Sequence, residues 1–243
     1  AQVASELESM PDVGCARASV ALVFDYDSAY AWETQPQGAD FDYFQLVFDC
    51  YRALRRAGLS IDIVSKDVDP AAYKLTFAPG LLTVPDSLAG GVVVAGPRTG
   101  SKTEEFHIPA GLAPEISGLQ TKVTYVESLP PFAPMPIAGG GAFEKWRESI
   151  ETNDTIILRL MDGSPAAVRA NDLIYLAGWP NPNLWHRILL ELASEISLTV
   201  LDLPRGLRVR DTDTHRFWFN YGPSVTTYGS MTLTPAGVYW EEL

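Results

Sequence analysis

The sequence predicts an α/β fold: a parallel sheet with helices on both faces, followed by a small antiparallel β domain at the C-terminus. Three patterns carry that expectation. Four short apolar runs (residues 19–24, 59–64, 75–78 and 91–95) are continuous rather than alternating, as in strands buried on both faces of a parallel sheet. A clear amphipathic helix separates the first two, so they are joined by a crossover and not by a hairpin. After Leu207 the pattern changes to alternation, with Phe217, Phe219 and Tyr221 on one side and Trp218 on the other.

In chain order, AQVASELESMPD has no initiator Met, basic segment or apolar segment of a signal peptide, and reads as a helix end broken at Pro11, the tail of something longer. The strand from Ser19 to Phe24 runs into an acidic, aromatic loop holding Asp25, Tyr26, Asp27, Tyr30, Trp32, Glu33 and Gln35. Loops at the carboxyl ends of strands are where open α/β sheets meet ligands and partners, so this loop is either the working surface or a segment packed on its own domain. A helix follows over about Asp42–Ala57, capped by Asp40 or Asp42, with Phe44, Val47, Phe48, Tyr51 and Leu54 as its expected buried face. Arg52, Arg55 and Arg56 suit its negative pole and Gly58 its C-cap.

Strands are then expected at Leu59–Val64, Leu75–Ala78 and Gly91–Ala95, and right-handed crossovers among them would give a flavodoxin-like layer structure. The link from Ala78 to Gly91 is short for a parallel crossover: either its helix is trimmed to about one turn or residues are missing. Residues 101–119 read as loop, Lys122–Glu127 as a strand, and Pro130–Gly141 as an irregular connection. Thr155–Met161, Ala166–Arg169 and Leu173–Ala177 read as short strands joined by turns such as Asp162-Gly163, and Asn183–Ile196 as a helix burying Leu184, Ile188, Leu192 and Ile196. Residues 226–234 and 238–240 continue the terminal β segment, which is too small to be stable alone and should dock on a larger body.

With 47% hydrophobic and 20% charged residues the chain has globular composition, and its apolar runs are of strand length. A formal charge of −12 repels phosphate backbones, which argues against nucleic acid as a partner; no membrane partner is expected either. Cys15 and Cys50 form no Cys-x-x-Cys, and His107, His186 and His215 are scattered, so no metal site is expected. Nothing in this usage requires an oxidising compartment, and a cytoplasmic setting is the expectation.

Several segments together resemble the trimerisation part of glycoside hydrolase family 42 β-galactosidases: DYDSAYAWETQPQGADFDYF with its helix ending in YRALRRAGLSIDIV, then APGLLTVPD, GPRTGSKTEEFHIP, YLAGWP, LPRGLRVRDTD and FNYG. The resemblance implies residues 1–18 as a linker from an upstream domain, 19–200 as an amidotransferase-like trimerisation domain and 201–243 as the small β domain. It also implies that the family's catalytic (β/α)8 barrel, with its two glutamates, lies outside this chain. The expected role is therefore assembly of a homotrimer. Tyr26, Tyr30, Trp32 and Gln35 would project from the sheet edge to the rim of a neighbouring active site, and galactoside would be met only through the barrel.

The sequence carries no pattern of catalytic residues of its own. Glu104-Glu105 and Glu241-Glu242 are sequence neighbours that point apart, unlike the two carboxyl groups about 5 Å apart of a retaining glycosidase. The layer structure also resembles class I glutamine amidotransferases, which carry a nucleophilic Cys on a G-x-C-x-G turn. Here the turn is Gly96-Pro97-Arg98-Thr99-Gly100, and a permanently charged Arg98 is no nucleophile. No catalytic residue and no cofactor is expected. Two other classes remain beside assembly: an independent sugar-binding module, and a degenerate amidotransferase-like domain with another partner.

Overall fold

The computed structural model describes residues 8, 12–36, 38, 40–88, 90–109 and 114–243. Its centre is a seven-stranded sheet. β1 (Val20–Val23), β2 (Ile61–Val64), β3 (Leu75–Ala78) and β4 (Val92–Ala95) are joined by β8 (Thr155–Arg159), β9 (Pro165–Ala170) and β10 (Leu173–Leu176) in the order β2-β1-β3-β4-β10-β9-β8. The pairings from β2 through β10 are parallel, and β9 and β8 close the edge antiparallel. The four apolar runs therefore occupy the centre, as their unbroken hydrophobicity requires. The connection from β3 to β4 is parallel although it holds only a short 3-10 turn, Asp86–Leu88.

Alternate residues of these strands point to opposite faces. Val20, Leu22, Leu75, Phe77, Val94, Ile174 and Leu176 face a cluster into which all three described α-helices insert: α1 (Tyr26–Thr34), α2 (Tyr43–Arg56) and α3 (Pro182–Glu195). The expected helices on both faces are thus not found among the described residues. The opposite face, with Val23, Ala78, Val93, Ala95 and Tyr175, is covered by loop residues 81–88 and by part of a second, antiparallel sheet. That sheet joins β5 (Thr121–Ser128), β7 (Ala142–Thr152) and β11 (Gly178–Pro180), with the two-residue β6 (Met135–Pro136) beside β7.

Two elements depart from the sequence reading. Residues 26–34 are a helix and not a loop. Asp25 caps it by accepting from Ser28 N at 2.8 Å and Ser28 Oγ at 2.7 Å, and only Ser28 and Trp32 are buried, one turn apart. A nine-residue helix with so narrow a buried stripe leaves little periodicity to read. β7 shows no regular alternation in the sequence because its parity slips: Phe143 is buried, then Trp146, Glu148 and Ile150, with Lys145 at φ 64° between them.

In α2 the buried face is Tyr43, Leu46, Val47, Cys50 and Leu54, whereas Phe44 and Phe48, expected inside, are exposed. The sequence holds two adjacent 3-4 stripes, and Tyr43 fixes the choice because its hydroxyl accepts the backbone N–H of Asp25 within the core. Asp42, of the two candidates, is the cap.

The C-terminal segment forms β12 (Leu207–Asp211), β13 (His215–Asn220), β14 (Thr226–Tyr228), β15 (Met231–Leu233) and β16 (Val238–Glu242). Leu203, Leu207, Val209, Trp218 and Leu233 make its own small core. It docks on the end of α2, where Leu201 N bonds Ala57 O and Asp211 N bonds Ser60 Oγ. The expected lead-in helix ending at Pro11 lies outside the described residues, apart from Glu8.

Candidate functional site

Two features stand at the carboxyl ends of the parallel strands: the turn after β4 and the helix after β1. The turn, residues 96–100, has the backbone of a sharp strand exit, with Gly96 at φ 87°, Arg98 at φ 64° and Gly100 at φ 71°. A Cβ on Gly96 would come within 2.2 Å of Leu176 O, so glycine is required there. Thr99 Oγ1 ties the turn down, accepting from Gly96 N at 2.9 Å and donating to Ala78 O at 2.6 Å.

Arg98 occupies the position that projects in a nucleophile turn, but its side chain is buried against a fully buried carboxylate. Its Nη1 lies 3.3 Å from Glu148 Oε1, and its backbone N–H donates to the same oxygen at 3.2 Å. The Tyr175 hydroxyl donates to Glu148 Oε2 at 2.6 Å. Burial pushes the Glu148 carboxyl up, and Arg98 and the Tyr175 hydroxyl pull it back. Burial likewise pushes the Tyr175 hydroxyl well up, so it stays a donor. Arg98 N and Nη1 and the Tyr175 hydroxyl all converge on Glu148, while the buried Arg98 Nε has no protein partner, and neither Arg98 nor Tyr175 presents a nucleophile to solvent. His107 lies exposed on the loop beyond. Glu148 escaped the sequence reading because an acidic residue in a charged stretch gives no sign of burial; the slipped parity of β7 turns it inward.

The helix after β1 is open. Tyr26 and Tyr30 are 68% and 62% exposed. They begin a continuous aromatic ladder: Tyr30 lies 6.3 Å from Tyr26, Tyr26 5.1 Å edge-on to Phe24, and Phe24 6.4 Å from Phe44. Phe44 then stacks on Phe48 and Phe48 on Tyr51, with the Arg52 guanidinium 5.7 Å from the Phe48 centroid. Phe44 and Phe48 are the surface residues that the sequence reading placed inside.

Trp32 does not project with the tyrosines. It is 3% exposed, stacks on Phe41 at 4.3 Å, and its indole N–H donates to Gly80 O at 3.0 Å. One turn of helix separates it from Ser28, the other residue α1 buries. Gln35 is exposed at the end of α1, where Lys102 Nζ approaches its Oε1 at 3.4 Å. Between α1 and the loop 101–106 lies a cleft of about 320 Å³, bordered by Tyr30, Gln35, Lys102 and Phe106. No group of three or more His, Cys, Asp or Glu side chains placed to hold a metal occurs among the described residues. No described helix is long and apolar enough to cross a membrane.

Residues 18–199 match the family described as the β-galactosidase trimerisation domain. Over 234 residues the chain is 44% identical to a β-galactosidase of Thermus thermophilus, covering 91% of this chain and 36% of that protein. The crystal structure of a β-galactosidase from the psychrophilic Marinomonas ef1 superposes with a TM-score of 0.86 at 32% identity, covering 98% of this chain and 39% of that one. That of a β-galactosidase from Bacillus circulans sp. alkalophilus gives 0.88 at 19% identity, covering 99% and 44%, a likeness of fold alone. The chain thus spans less than half the length of each.

Proposed function

The chain belongs to the β-galactosidase trimerisation-domain family of glycoside hydrolase family 42, and from that premise we propose that it is the non-catalytic assembly part of an enzyme that removes terminal β-D-galactosyl residues. The match over residues 18–199 carries this reading. In it the chain associates with copies of itself as a homotrimer. The edge formed by Tyr26, Tyr30 and Gln35, extended along Phe44 and Phe48, meets the neighbouring subunit and completes the rim of its active site. Exposed aromatic side chains with polar handles are favoured anchors of such contacts. A heterologous contact that closes on itself gives a ring, the geometry a trimer needs.

The finer description of the body as flavodoxin-like and amidotransferase-like is part of the proposal, supported by the strand order and by the glycine-bounded turn at 96–100. The buried Arg98–Glu148–Tyr175 network supports a turn without amidotransferase chemistry. A cytoplasmic setting is proposed on the two free cysteines. Sedimentation equilibrium of the purified chain tests the assembly reading: a mass three times 26.6 kDa is expected. A monomer at every concentration would contradict it, as would turnover of a chromogenic β-galactoside by this chain contradict the non-catalytic part.

A further inference from the structure

We infer that Phe132 is a knob that one copy of this chain inserts into the cleft between α1 and the loop 101–106 of the next copy. The inference rests on the assembly reading and deepens it, naming the side chain that crosses between copies and the socket that takes it.

The knob is the first observation. Phe132 is 98% exposed, the most of any large apolar side chain described, so it adds nothing by burial to its own fold. It stands on a braced loop. Pro130, Pro131, Pro134 and Pro136 restrict the backbone on both sides of it. Ala133 N bonds Pro130 O at 3.0 Å, closing a turn that carries Phe132 at its tip. Both ends of the loop are tied to β7: Leu129 N bonds Lys145 O at 2.8 Å, and Met135 of β6 pairs with Phe143. A ring displayed on so fixed a backbone loses little freedom when a partner takes it up, which is the property of a preorganised anchor.

The socket is the second. Tyr30, Ala31, Leu82 and Phe106 give it apolar walls. Its polar groups are already engaged or covered: Asp27 pairs with Lys66 at 3.7 Å, Lys102 Nζ lies 3.4 Å from Gln35 Oε1, and Ser101 is 1% exposed. A polar ligand would be desolvated there without compensation, and an apolar one would not. An apolar cavity of about 150 Å³ holds a benzene. At about 320 Å³ this cleft accommodates a phenyl ring with part of a flanking proline. Phe106, at φ 61°, adopts a conformation costly for a bulky side chain and keeps its ring partly exposed on the socket wall. An inserted ring can meet it there edge to face.

Position is the third. β5 ends against the exit of α1, where Ser128 Oγ fills the space a Cβ on Gly38 would take, so knob and socket flank one edge of the molecule. Phe132, being exposed, does not occupy the socket of its own chain. A knob and a socket on different patches of every copy make a heterologous contact, and a ring results when the rotation closes. Tyr30 belongs both to the socket and to the exposed aromatic row, so one continuous surface meets the second copy. Each copy gives one ring and receives one, and three such contacts close a trimer.

Two measurements on the whole chain test the assignment. In the first, Phe132→Cys and Ala31→Cys are combined in a Cys15→Ser background, which removes the exposed native thiol, and oxidised with copper phenanthroline. Covalent dimers and trimers are expected from the combined variant and not from either substitution alone. In the second, a sedimentation series compares the parent with Phe132→Ala, which removes the knob, and Ala31→Leu, which fills the socket. Each should weaken association roughly tenfold or more. Combining them should cost no more than the worse of the two, because both remove one contact. Phe132→Ala should melt like the parent at concentrations where both are dissociated. A parent trimer that gives no cross-link, with Phe132→Ala associating as tightly as the parent, sinks this inference alone. Weakening by Phe132→Ala but not by Ala31→Leu would seat the ring elsewhere and overturns the socket. A parent that is monomeric throughout sinks the assembly reading and this inference with it.

Discussion

The turn after β4 and the helix after β1 stand on the same edge of the central sheet, one strand apart, and they are filled in opposite ways. At the turn, every strong polar group faces inward: Arg98 and Tyr175 are spent on Glu148, and Thr99 on the backbone of Gly96 and Ala78. At the helix, Tyr26 and Tyr30 face solvent and lead into the ring ladder along α2. A buried ionic network holds a backbone in place and leaves no group to react. An uncovered aromatic row contributes little to its own fold and is available to a partner. α1 repeats the contrast over a single turn, since Trp32 plugs the core while Tyr30 stands free of it.

The sharpest break of that contrast is Glu148→Ala. It strands a buried guanidinium and a tyrosine hydroxyl, a loss of ~3–5 kcal/mol by analogy with broken buried pairs. Urea denaturation with an unchanged m-value should report it, and a midpoint near the parent's would show that Arg98 finds another partner. Trp32→Ala comes next, at ~3 kcal/mol or more for a large aromatic removed from a packed core. It should lower the melting temperature without changing the association constant; a selective loss of association would move Trp32 back to the interface.

Arg98→Ala sharpens the comparison through pH. Without the guanidinium, burial is opposed at Glu148 chiefly by the Tyr175 hydroxyl, so the carboxyl rises further above its unfolded value. A folded state that holds a proton the unfolded chain has released loses stability as pH rises through that interval. The variant's stability should therefore fall more steeply than the parent's as pH rises above the ordinary glutamate range; parallel pH curves would contradict the role given to Arg98. The smallest effect is expected at Arg17–Asp213, an exposed pair joining the lead-in to the C-terminal segment. Arg17 holds the Asp213 carboxyl below its usual range, so that contribution is present above the unfolded value and is lost as pH falls. Arg17→Ala should soften the acid limb of the stability curve, and the difference should shrink in high salt.

The central strands were readable because each is apolar on both faces, and that property is local to four or five residues. The turn at 96–100 was readable from its glycines. What filled it was not, because Glu148 lies 50 residues away in sequence and enters the core only through the left-handed Lys145. α1 was hidden by brevity: two buried residues one turn apart make no pattern, and the Asp25–Ser28 cap was the available signal. Phe44 and Phe48 were misplaced for the opposite reason. α2 carries two apolar stripes, and the sequence alone does not say which of them the sheet takes. An aromatic residue in such a helix is core by default until a neighbour such as Tyr43 is seen to hold the inner position.

The most direct test of the division between closed and open edge is one sedimentation series on the parent and a Tyr26→Ala/Tyr30→Ala double variant at matched concentrations. Both residues are exposed, so the variant should melt within a few degrees of the parent. The parent should sediment as a trimer and the variant should dissociate at concentrations where the parent does not. A variant that assembles as tightly as the parent would contradict the assignment of this edge to partner contact.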